Sequence, residues 1–480
     1  MTKTSSELAL LDATAQAALV REGELTAAEL TQAAIERMER INPQLNAIIH
    51  PDPQGAMARA ANVSGGPLCG VPIAMKDIGG DEAGRPNQAG MRALKEADYR
   101  PAEDSYFTGK MKAAGTVSIG RTNTPELALL PTTEPVSHGA THNPWKLGYS
   151  AGGSSGGAAS AVAAGIVPVA HASDGGGSIR GPASMCGLVG LKPSRGRCSF
   201  GPGLGERWNG FSNELVVSRT VRDTAAFLDA LHGPMPGDPY SAPPPTKSYV
   251  DAMGETPRAL RIGLLDQGTR AVEIDPEAAT AARNTAKALE QLGHHVEQAY
   301  PEALDDASHV GHYVSVVQAN TARALDLYGE KLGRTLGQDD VEPLTWALAQ
   351  GGRTITAPQF VEVLQGVHGF GRKLAGFFGD YDLLVTPTQG KAPPEHGYFT
   401  SSPEEPLMAF ILAAPYGVFT LPYNMSGQPG ISLPCHWTPD GLPQGVQLVS
   451  GFGREDLLLQ VARQLEEAMP WVDRRPPVFA

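Results

Sequence analysis

The sequence of 480 residues is 41% hydrophobic and 19% charged, a composition typical of a soluble globular protein rather than a disordered chain. Its formal net charge of −13, without a cluster of Lys and Arg, argues against nucleic acid as a partner. No stretch approaches the roughly 18 apolar residues that span a bilayer, and the N-terminus lacks a signal-peptide pattern. We therefore expect a cytoplasmic protein that does not bind membranes.

The N-terminal region, residues 1–60, is predicted to be helical. Residues 5–49 predict two helices, the second of which opens with a capping box formed by Thr26 and Glu29. Apolar residues recur at helical spacing after that box, starting at Leu30. Because such helices bury only one face, we expect them to pack against a larger unit.

Strands and helices alternate through residues 68–232. The segment "CGVPIAMK" predicts a strand, "DSYFTGKMKAAG" a helix and "TVSIGRTN" a second strand. A glycine loop, a helix of small residues and another strand follow within "GGSSGGAASAVAAGIVPVAHASD". Alternation of this kind predicts an α/β fold around a sheet with many parallel pairs. We expect this region to be the catalytic core.

A proline-rich stretch without periodicity, residues 234–257, predicts a surface crossing. The α/β pattern resumes in residues 258–480, the second half of the core. Its predicted strands are 259–266, 381–388 and 445–451, and its predicted helices are 275–293 and 454–468. The sequence thus predicts one large α/β domain with a mixed central sheet surrounded by helices.

Two glycine loops carry serines, "GGSSGG" at 152–157 and "GGGS" at 175–178. Backbone N–H groups on such loops can converge on a developing oxyanion, which favours acyl-transfer chemistry. The first loop contains G-x-S-x-G around Ser154, the pattern of an α/β-hydrolase nucleophile, but the strand that should precede that motif is missing. A serine nucleophile also needs a base, which is often a histidine. Lys76 is the alternative base here, because burial at the end of an apolar strand would lower the pKa of its amine.

Several segments share the order and spacing of a known enzyme family. They are "GVPIAMKD", "GRTNTPE", "NPW", "GGSSGGAASAVAAG", "SDGGGSIRGPASMCGLVGLKPSRGR" and "SRTVRDTAAFLDAL". The C-terminal "LVTPT", "GISLP" and "GLPQGVQLVSG" add three closing strands. With these segments the chain resembles the amidase signature enzymes from about residue 7 to residue 465.

The resemblance implies a single amidase-signature domain with a Ser–cis-Ser–Lys triad. Ser178 would be the nucleophile, Ser154 the bridging serine next to a cis peptide bond, and Lys76 the base. The implied oxyanion hole consists of N–H groups of the second loop, those of Gly175, Gly176, Gly177 and Ser178.

Three further residues are expected to support this site: Ser155, Asp174 and Arg180. Asp174 and Arg180 flank the glycine run, so an ordinary structural ion pair is an equally good interpretation. Ser155 either donates a hydrogen bond near Ser154 or stabilises its own glycine and serine loop as a capping residue. Gly175 departs from the family pattern, which has threonine directly after the aspartate. The missing side chain predicts more space around the loop that forms the oxyanion hole.

The substrate pocket is expected in segments that vary within the family. They are residues 129–139, 201–210, 309–320 and 415–424. The aromatic side chains they supply predict an apolar or aryl acyl pocket, or else belong to the core: Trp208, Tyr313, Tyr416, Phe419 and Tyr423.

The expected function is hydrolysis of a carboxylic amide of a small molecule, with esters and carbamates such as urethanes as adjacent substrates. The alternatives are a glutamine-dependent amidotransferase A-type subunit, an α/β-hydrolase esterase with Ser154 as nucleophile, and an inactive scaffold. The last is disfavoured because all three triad residues are present. The four cysteines have no metal-ligand or disulfide spacing, and no HExxH or phosphate-binding loop occurs. We therefore expect no metal or other cofactor, in a monomer or homodimer.

Overall fold

The computed structural model describes residues 3–269 and 272–480. In chain order its strands are β1 (Ile48–Pro51), β2 (Pro72–Lys76), β3 (Val117–Thr122), β4 (His142–Asn143), β5 (Lys146–Ser150), β6 (Val169–Asp174), β7 (Val189–Lys192), β8 (Asn213–Ser218), β9 (Arg261–Leu264), β10 (His295–Gln298), β11 (Leu383–Pro387), β12 (Gly430–Trp437) and β13 (Pro443–Ser450).

Helices cover the faces of this sheet. They are α1 (Ser5–Leu10), α2 (Ala13–Arg21), α3 (Ala27–Leu45), α4 (Pro53–Asn62), α5 (Arg92–Glu96), α6 (Tyr106–Ala113), α7 (Gly156–Ala163), α8 (Arg180–Cys186), α9 (Val221–Leu231), α10 (Tyr249–Met253), α11 (Pro276–Gln291), α12 (Ser308–Leu332), α13 (Pro343–Thr354), α14 (Ala357–Phe377), α15 (Met408–Leu412), α16 (Ala414–Gly417), α17 (Leu421–Ser426) and α18 (Glu455–Ala468). Short 3₁₀ turns span Glu126–Ala128, Glu302–Asp305 and Gln338–Asp340.

All strands except β4 and β5 join one sheet of 11 strands in the order β1-β3-β2-β6-β8-β7-β12-β13-β11-β9-β10. Parallel pairs lie on the two sides, where β2 joins β3 and β6, and β9 joins β10 and β11. The centre from β6 to β11 is antiparallel. The mixed sheet and its covering helices confirm the expected α/β class, with more antiparallel pairing than the alternating sequence pattern predicts.

The N-terminal segment contains three helices where the sequence predicted two, and strand β1 interrupts the region 1–60 that was predicted to be helical. The first ends at Leu10, and Asp12 starts the second by accepting a hydrogen bond from the N–H of Ala15. Asp12 is the N-cap of the second helix. Its side chain accepts from an N–H of the first turn, which has no backbone acceptor within the helix, so a new helix starts there. The predicted capping box of Thr26 and Glu29 is present at the start of α3.

The proline-rich stretch 234–257 is mostly irregular, as predicted, but contains the short helix α10. Ser248 caps this helix by accepting from the N–H of Asp251. The S-x-x-D spacing is a helix-start signal that the surrounding prolines obscure.

Small residues bring α7 close to the sheet. All eight of its residues are buried, and a Cβ on Gly157 would lie 2.4 Å from the backbone nitrogen of Asn123. The helix therefore packs against backbone rather than side chains, which places its N-terminus beside β2 and β6. Within the described residues, no helix has the length and apolar character needed to cross a membrane.

Candidate active site

Three chain segments meet at the carboxyl ends of β2 and β6. These strands are adjacent and parallel, with Ile73 opposite Val169, so their ends lie at one edge of the sheet. Lys76 is the last residue of β2, and Asp174 is the last residue of β6. The loop before α7 reaches the same edge and carries Ser154.

The Lys76 amine contacts three serine hydroxyls. Its Nζ lies 2.7 Å from Oγ of Ser154, 2.9 Å from Oγ of Ser155 and 3.0 Å from Oγ of Ser173. Lys76 is completely buried. The amine therefore has only hydroxyl groups, and no carboxylate, within hydrogen-bond distance among the described residues.

Burial lowers the pKa of Lys76 to about 7, because the ammonium form loses its hydration. The charges of Asp174 and Glu214 oppose this shift, and Arg207 adds to it. Close to neutral pH, a substantial fraction of the side chain is then the neutral amine. A neutral amine has two hydrogens and one lone pair, so three hydroxyl partners satisfy it.

Ser154 is held in place from several directions. It is 1% exposed, the Gly153–Ser154 peptide bond is cis, and its carbonyl accepts a hydrogen bond of 2.9 Å from Thr124 Oγ1. Ser155 Oγ donates to the carbonyl of Ser173 at 3.3 Å, which fixes the second lysine partner. The predicted residues Lys76, Ser154 and Ser155 therefore form one hydrogen-bonded cluster.

The glycine run 175–177 passes beside large side chains. A Cβ on Gly175 would lie 3.0 Å from the Trp208 ring, and one on Gly176 would lie 2.3 Å from Oη of Tyr313. Gly177 has φ +137°, a conformation that L side chains rarely adopt. The loop that presents Ser178 therefore has no room for side chains of its own, and the space in front of Gly175 is filled by Trp208.

Side chains fix the carbonyl groups of this run. Tyr313 Oη donates to the carbonyl of Gly175 at 3.3 Å, and Thr420 Oγ1 donates to that of Gly176 at 2.7 Å. The N–H of Gly177, expected in the oxyanion hole, instead donates to Asp174 Oδ1 at 2.7 Å, because the carboxylate is a strong acceptor. This N–H is therefore engaged within the loop itself.

Asp174 and Arg180 form a bidentate ion pair that is completely buried. Nε and Nη2 of Arg180 donate to the two carboxylate oxygens at 3.0 and 2.9 Å. Burial alone would raise the pKa of Asp174, but the Arg180 charge and hydrogen bonds from Arg180 and Asn424 lower it. Asp174 also accepts from the N–H of Ile179 at 3.1 Å, so the ion pair shapes the turn around Ser178.

A cavity of about 410 Å³ opens onto this cluster. Ser154, Ser173 and Ser178 line its floor together with the glycine run. Ser178 Oγ has no hydrogen-bond partner among the residues that the structure describes. Most of the remaining lining is apolar, and the charged side chains in it are Arg207 and Asp305.

Comparison with known proteins identifies the family. The amidase family model matches residues 29–459 of this chain. The chain belongs to the amidase signature family. It is 44% identical over 477 residues to the 6-aminohexanoate-cyclic-dimer hydrolase of Paenarthrobacter ureafaciens. The aligned region covers 98% of this chain and 97% of that protein.

Two solved structures of the family superpose closely on this chain. The 6-aminohexanoate cyclic dimer hydrolase complexed with substrate has a TM-score of 0.95 at 43% identity, covering 98% of this chain and 100% of the other. A bacterial aryl acylamidase of the amidase signature family has a TM-score of 0.86 at 28% identity, covering 98% and 96%.

All four segments predicted to vary within the family contribute to the cavity, but not every predicted aromatic residue does. Trp208, Tyr313 and Tyr416 line it. Phe419 is not among the lining residues; it is 2% exposed and packs in a hydrophobic cluster. Tyr423 is buried in the same cluster. In this short helical region, Gly417 and Val418 face the cavity instead.

Sequence reasoning missed several residues of the candidate site. Ser173 directly precedes Asp174 in the sequence, so its position within the serine and glycine motif was a usable signal. The others contact Arg180 from the second half of the chain and carry no local signal: Thr420, Asn424 and Gln447. The cavity wall contributed by Phe410 and Ile411 was also missed.

We predict that Asp174→Asn removes the counter-charge of Arg180 and leaves a buried, uncompensated guanidinium. The free energy of unfolding should fall by about 3–5 kcal/mol. Turnover should fall with it, because asparagine offers one acceptor oxygen where the N–H groups of Gly177 and Ile179 now use two. Chemical denaturation and amide hydrolysis measure the two effects.

The matched control is Asp326→Asn, which breaks the exposed pair with Arg353 and should cost less than about 1 kcal/mol. Equal losses for the two variants would show that Asp174 is not a structural anchor of this site.

Proposed function

We propose that this protein hydrolyses neutral carboxylic amides through an acyl-enzyme formed on Ser178. The observation that carries the proposal is that Ser178 and Ser154 line the same cavity, and that a 2.7 Å hydrogen bond links Ser154 to the buried Lys76. A hydroxyl becomes nucleophilic when a neighbouring base accepts its proton. Neutral Lys76 is that base.

The proton path runs from Ser178 through Ser154 to Lys76. As Oγ of Ser178 attacks the amide carbonyl carbon, its proton passes to Oγ of Ser154, and the Ser154 proton passes to Nζ. The lysine is then an ammonium. When the C–N bond breaks, this proton returns through Ser154 to the leaving nitrogen, which departs as a neutral amine.

Water repeats the cycle on the acyl-enzyme. It attacks the ester carbonyl, gives its proton to the same relay, and releases the carboxylic acid as the proton returns to Oγ of Ser178. Esters and carbamates present the same carbonyl carbon, so the site can accept them as well.

The oxyanion formed in each attack lies against the glycine run. The N–H groups of Gly175, Gly176 and Ser178 have no partner among the described residues, which leaves them for the substrate oxygen. Gly177, whose N–H binds Asp174, supports the turn instead. Donors that are fixed before the reaction stabilise the transition state without reorganisation.

The apolar cavity supports a neutral substrate. A cyclic amide dimer has no free amine or carboxylate, so it can enter without burying a charge, whereas a linear dimer carries two charged ends. The chain's similarity to the cyclic-dimer hydrolase points to the same substrate class. A volume of about 410 Å³ is that of a small-molecule site.

Accessibility favours Ser178 as nucleophile, because Ser154 is 1% exposed whereas Ser178 is half-buried. We predict that a fluorophosphonate probe labels Ser178 in the wild-type protein, as located by peptide mass spectrometry. Ser178→Ala should lose labelling and at least about 1,000-fold in turnover. Ser154→Ala should lose about 100-fold or more, because the relay is broken.

Ser160→Ala serves as the control, because Ser160 is a buried serine of α7 that bonds to His142 rather than to the lysine. It should retain both labelling and turnover. Label on the peptide containing Ser154, retained in Ser178→Ala, would favour the α/β-hydrolase interpretation instead.

Substrate charge provides a separate prediction. The kcat/KM for the cyclic dimer of 6-aminohexanoate should exceed that for the linear dimer and for glutamine by at least about 100-fold, because the apolar walls do not solvate charged ends. Capping both ends of the linear dimer as neutral amides should recover most of the difference. Preference for glutamine would support the amidotransferase alternative.

A further inference from the structure

Two histidines and an aspartate come together on the far side of β2 from the glycine run. His50 lies in the edge strand β1, Asp77 directly follows β2, and His138 lies in the segment 131–141. Strand β3 pairs with β1 on one side and with β2 on the other, which brings His50 and Asp77 to the same end of the sheet. One donor atom from each of the three residues lies within 4.8 Å of the other two.

The histidine nitrogens in this cluster lack hydrogen-bond partners. Nε2 of His50 and Nε2 of His138 are both buried, and neither has a partner among the described residues. His50 Nε2 lies 3.6 Å from Asp77 Oδ1, beyond hydrogen-bond distance. Buried polar atoms are normally paired, so two unpartnered imidazole nitrogens in one group with a carboxylate indicate a ligand shared by the three residues.

Surrounding hydrogen bonds hold the three residues in position. The Asp77 carboxylate accepts from the N–H of Gln88 at 2.9 Å. The carbonyl of His138 accepts from Asn46 Nδ2 at 2.9 Å. The His50 side chain remains 16% exposed, which gives a small ion a route from solvent.

We propose that His50, Asp77 and His138 form a binding site for a divalent transition metal ion, best matched by Zn²⁺. Zn²⁺ takes imidazole nitrogens and carboxylate oxygens, often as three protein ligands with water as the fourth. Tetrahedral ligation at about 2.1 Å places donor atoms about 3.4 Å apart. The His50 and Asp77 pair, 3.6 Å apart, is close to this spacing. The His138 donor atom lies within 4.8 Å of both and has to move closer to them when the ion binds.

Three cations lie near the cluster: Arg121, Lys95 and Arg100. Arg121 is engaged with Glu82 at 3.4 Å and with the carbonyl of Lys76, so part of its charge is balanced.

A bound ion would fasten together parts of the active-site framework. Asp77 is the neighbour of Lys76, and the segment 131–141 that carries His138 also carries Thr133. Thr133 Oγ1 donates to the carbonyl of Gly152 and accepts from the N–H of Gly156, on either side of Ser154. The ion would thus join the strand end of the lysine to the loop of the bridging serine, and its role is structural.

The test uses the full-length chain without a histidine tag, first treated with chelator and then dialysed against micromolar Zn²⁺. Bound zinc is measured by elemental analysis. Wild-type protein should retain about one Zn²⁺ per chain, and His50→Ala and His138→Ala should each weaken binding at least about 10-fold.

His142→Ala is the matched control. His142 also stacks near a second histidine, His396, at 4.7 Å between ring centroids, but belongs to no such three-residue group within the described residues. This variant should bind Zn²⁺ as the wild type does. Equal binding by the wild type and His138→Ala, or none by the wild type, would overturn the proposal.

Thermal unfolding gives a second readout that does not depend on amidase activity. Zn²⁺ should raise the Tm of the wild type by several degrees, because an ion that binds the folded state and not the unfolded state stabilises the protein. The Tm of His138→Ala should stay unchanged, because this variant lacks one of the three ligands. A Tm that rises equally in both proteins would also overturn the proposal.

Discussion

The structure around the active site depends on one constraint, the burial of a lysine amine among hydroxyl groups. A charged ammonium in this position would lose its hydration without gaining a carboxylate, so the surroundings favour the neutral amine. Three serines from two different segments supply hydrogen bonds that a neutral amine can satisfy. The same burial that lowers the pKa of the lysine also sets it against Ser154, the only one of its described hydroxyl partners that our proposal places in the proton path.

A second buried group, the Asp174–Arg180 pair, holds the loop that faces this lysine. Its charges are compensated within the core, and its remaining hydrogen bonds reach residues more than two hundred positions away, such as Thr420 and Gln447. The second half of the chain therefore does more than line the cavity. It also holds the glycine run in place at the end of β6. The contacts are those of Arg180 and the hydrogen bond from Thr420 Oγ1 to the carbonyl of Gly176.

The sequence carries enough information for the parts of the site that are contiguous in the chain. The α/β class, the position of Lys76 at a strand end and the serine loops all follow from local patterns, because strand periodicity and glycine runs are properties of short segments. Contacts between residues that are far apart in the chain could not be predicted. No local signal marks Asn424 as a partner of Arg180, or predicts that Phe419 faces the core while Val418 faces the cavity. The His50, Asp77 and His138 cluster likewise exists only once the strands are paired.

The central claim is that Lys76 acts as a neutral base whose pKa is lowered by burial, and the pH dependence of kcat/KM tests it most directly. On a neutral amide, the rate should rise with pH through about 7 and level off above it, because only the deprotonated amine accepts a proton. Lys76→Met should lose most of the rate and the rising limb.

Lys192→Met is the control, since Lys192 is also a completely buried lysine but its amine donates to the carbonyl of Pro193 and to no serine among the described residues. It should keep the wild-type profile. Lys76→Arg should not restore activity, because a guanidinium stays protonated. A Lys76→Arg enzyme with a rate and pH profile close to the wild type would contradict the account, since it would show that the site needs a positive charge and not a base.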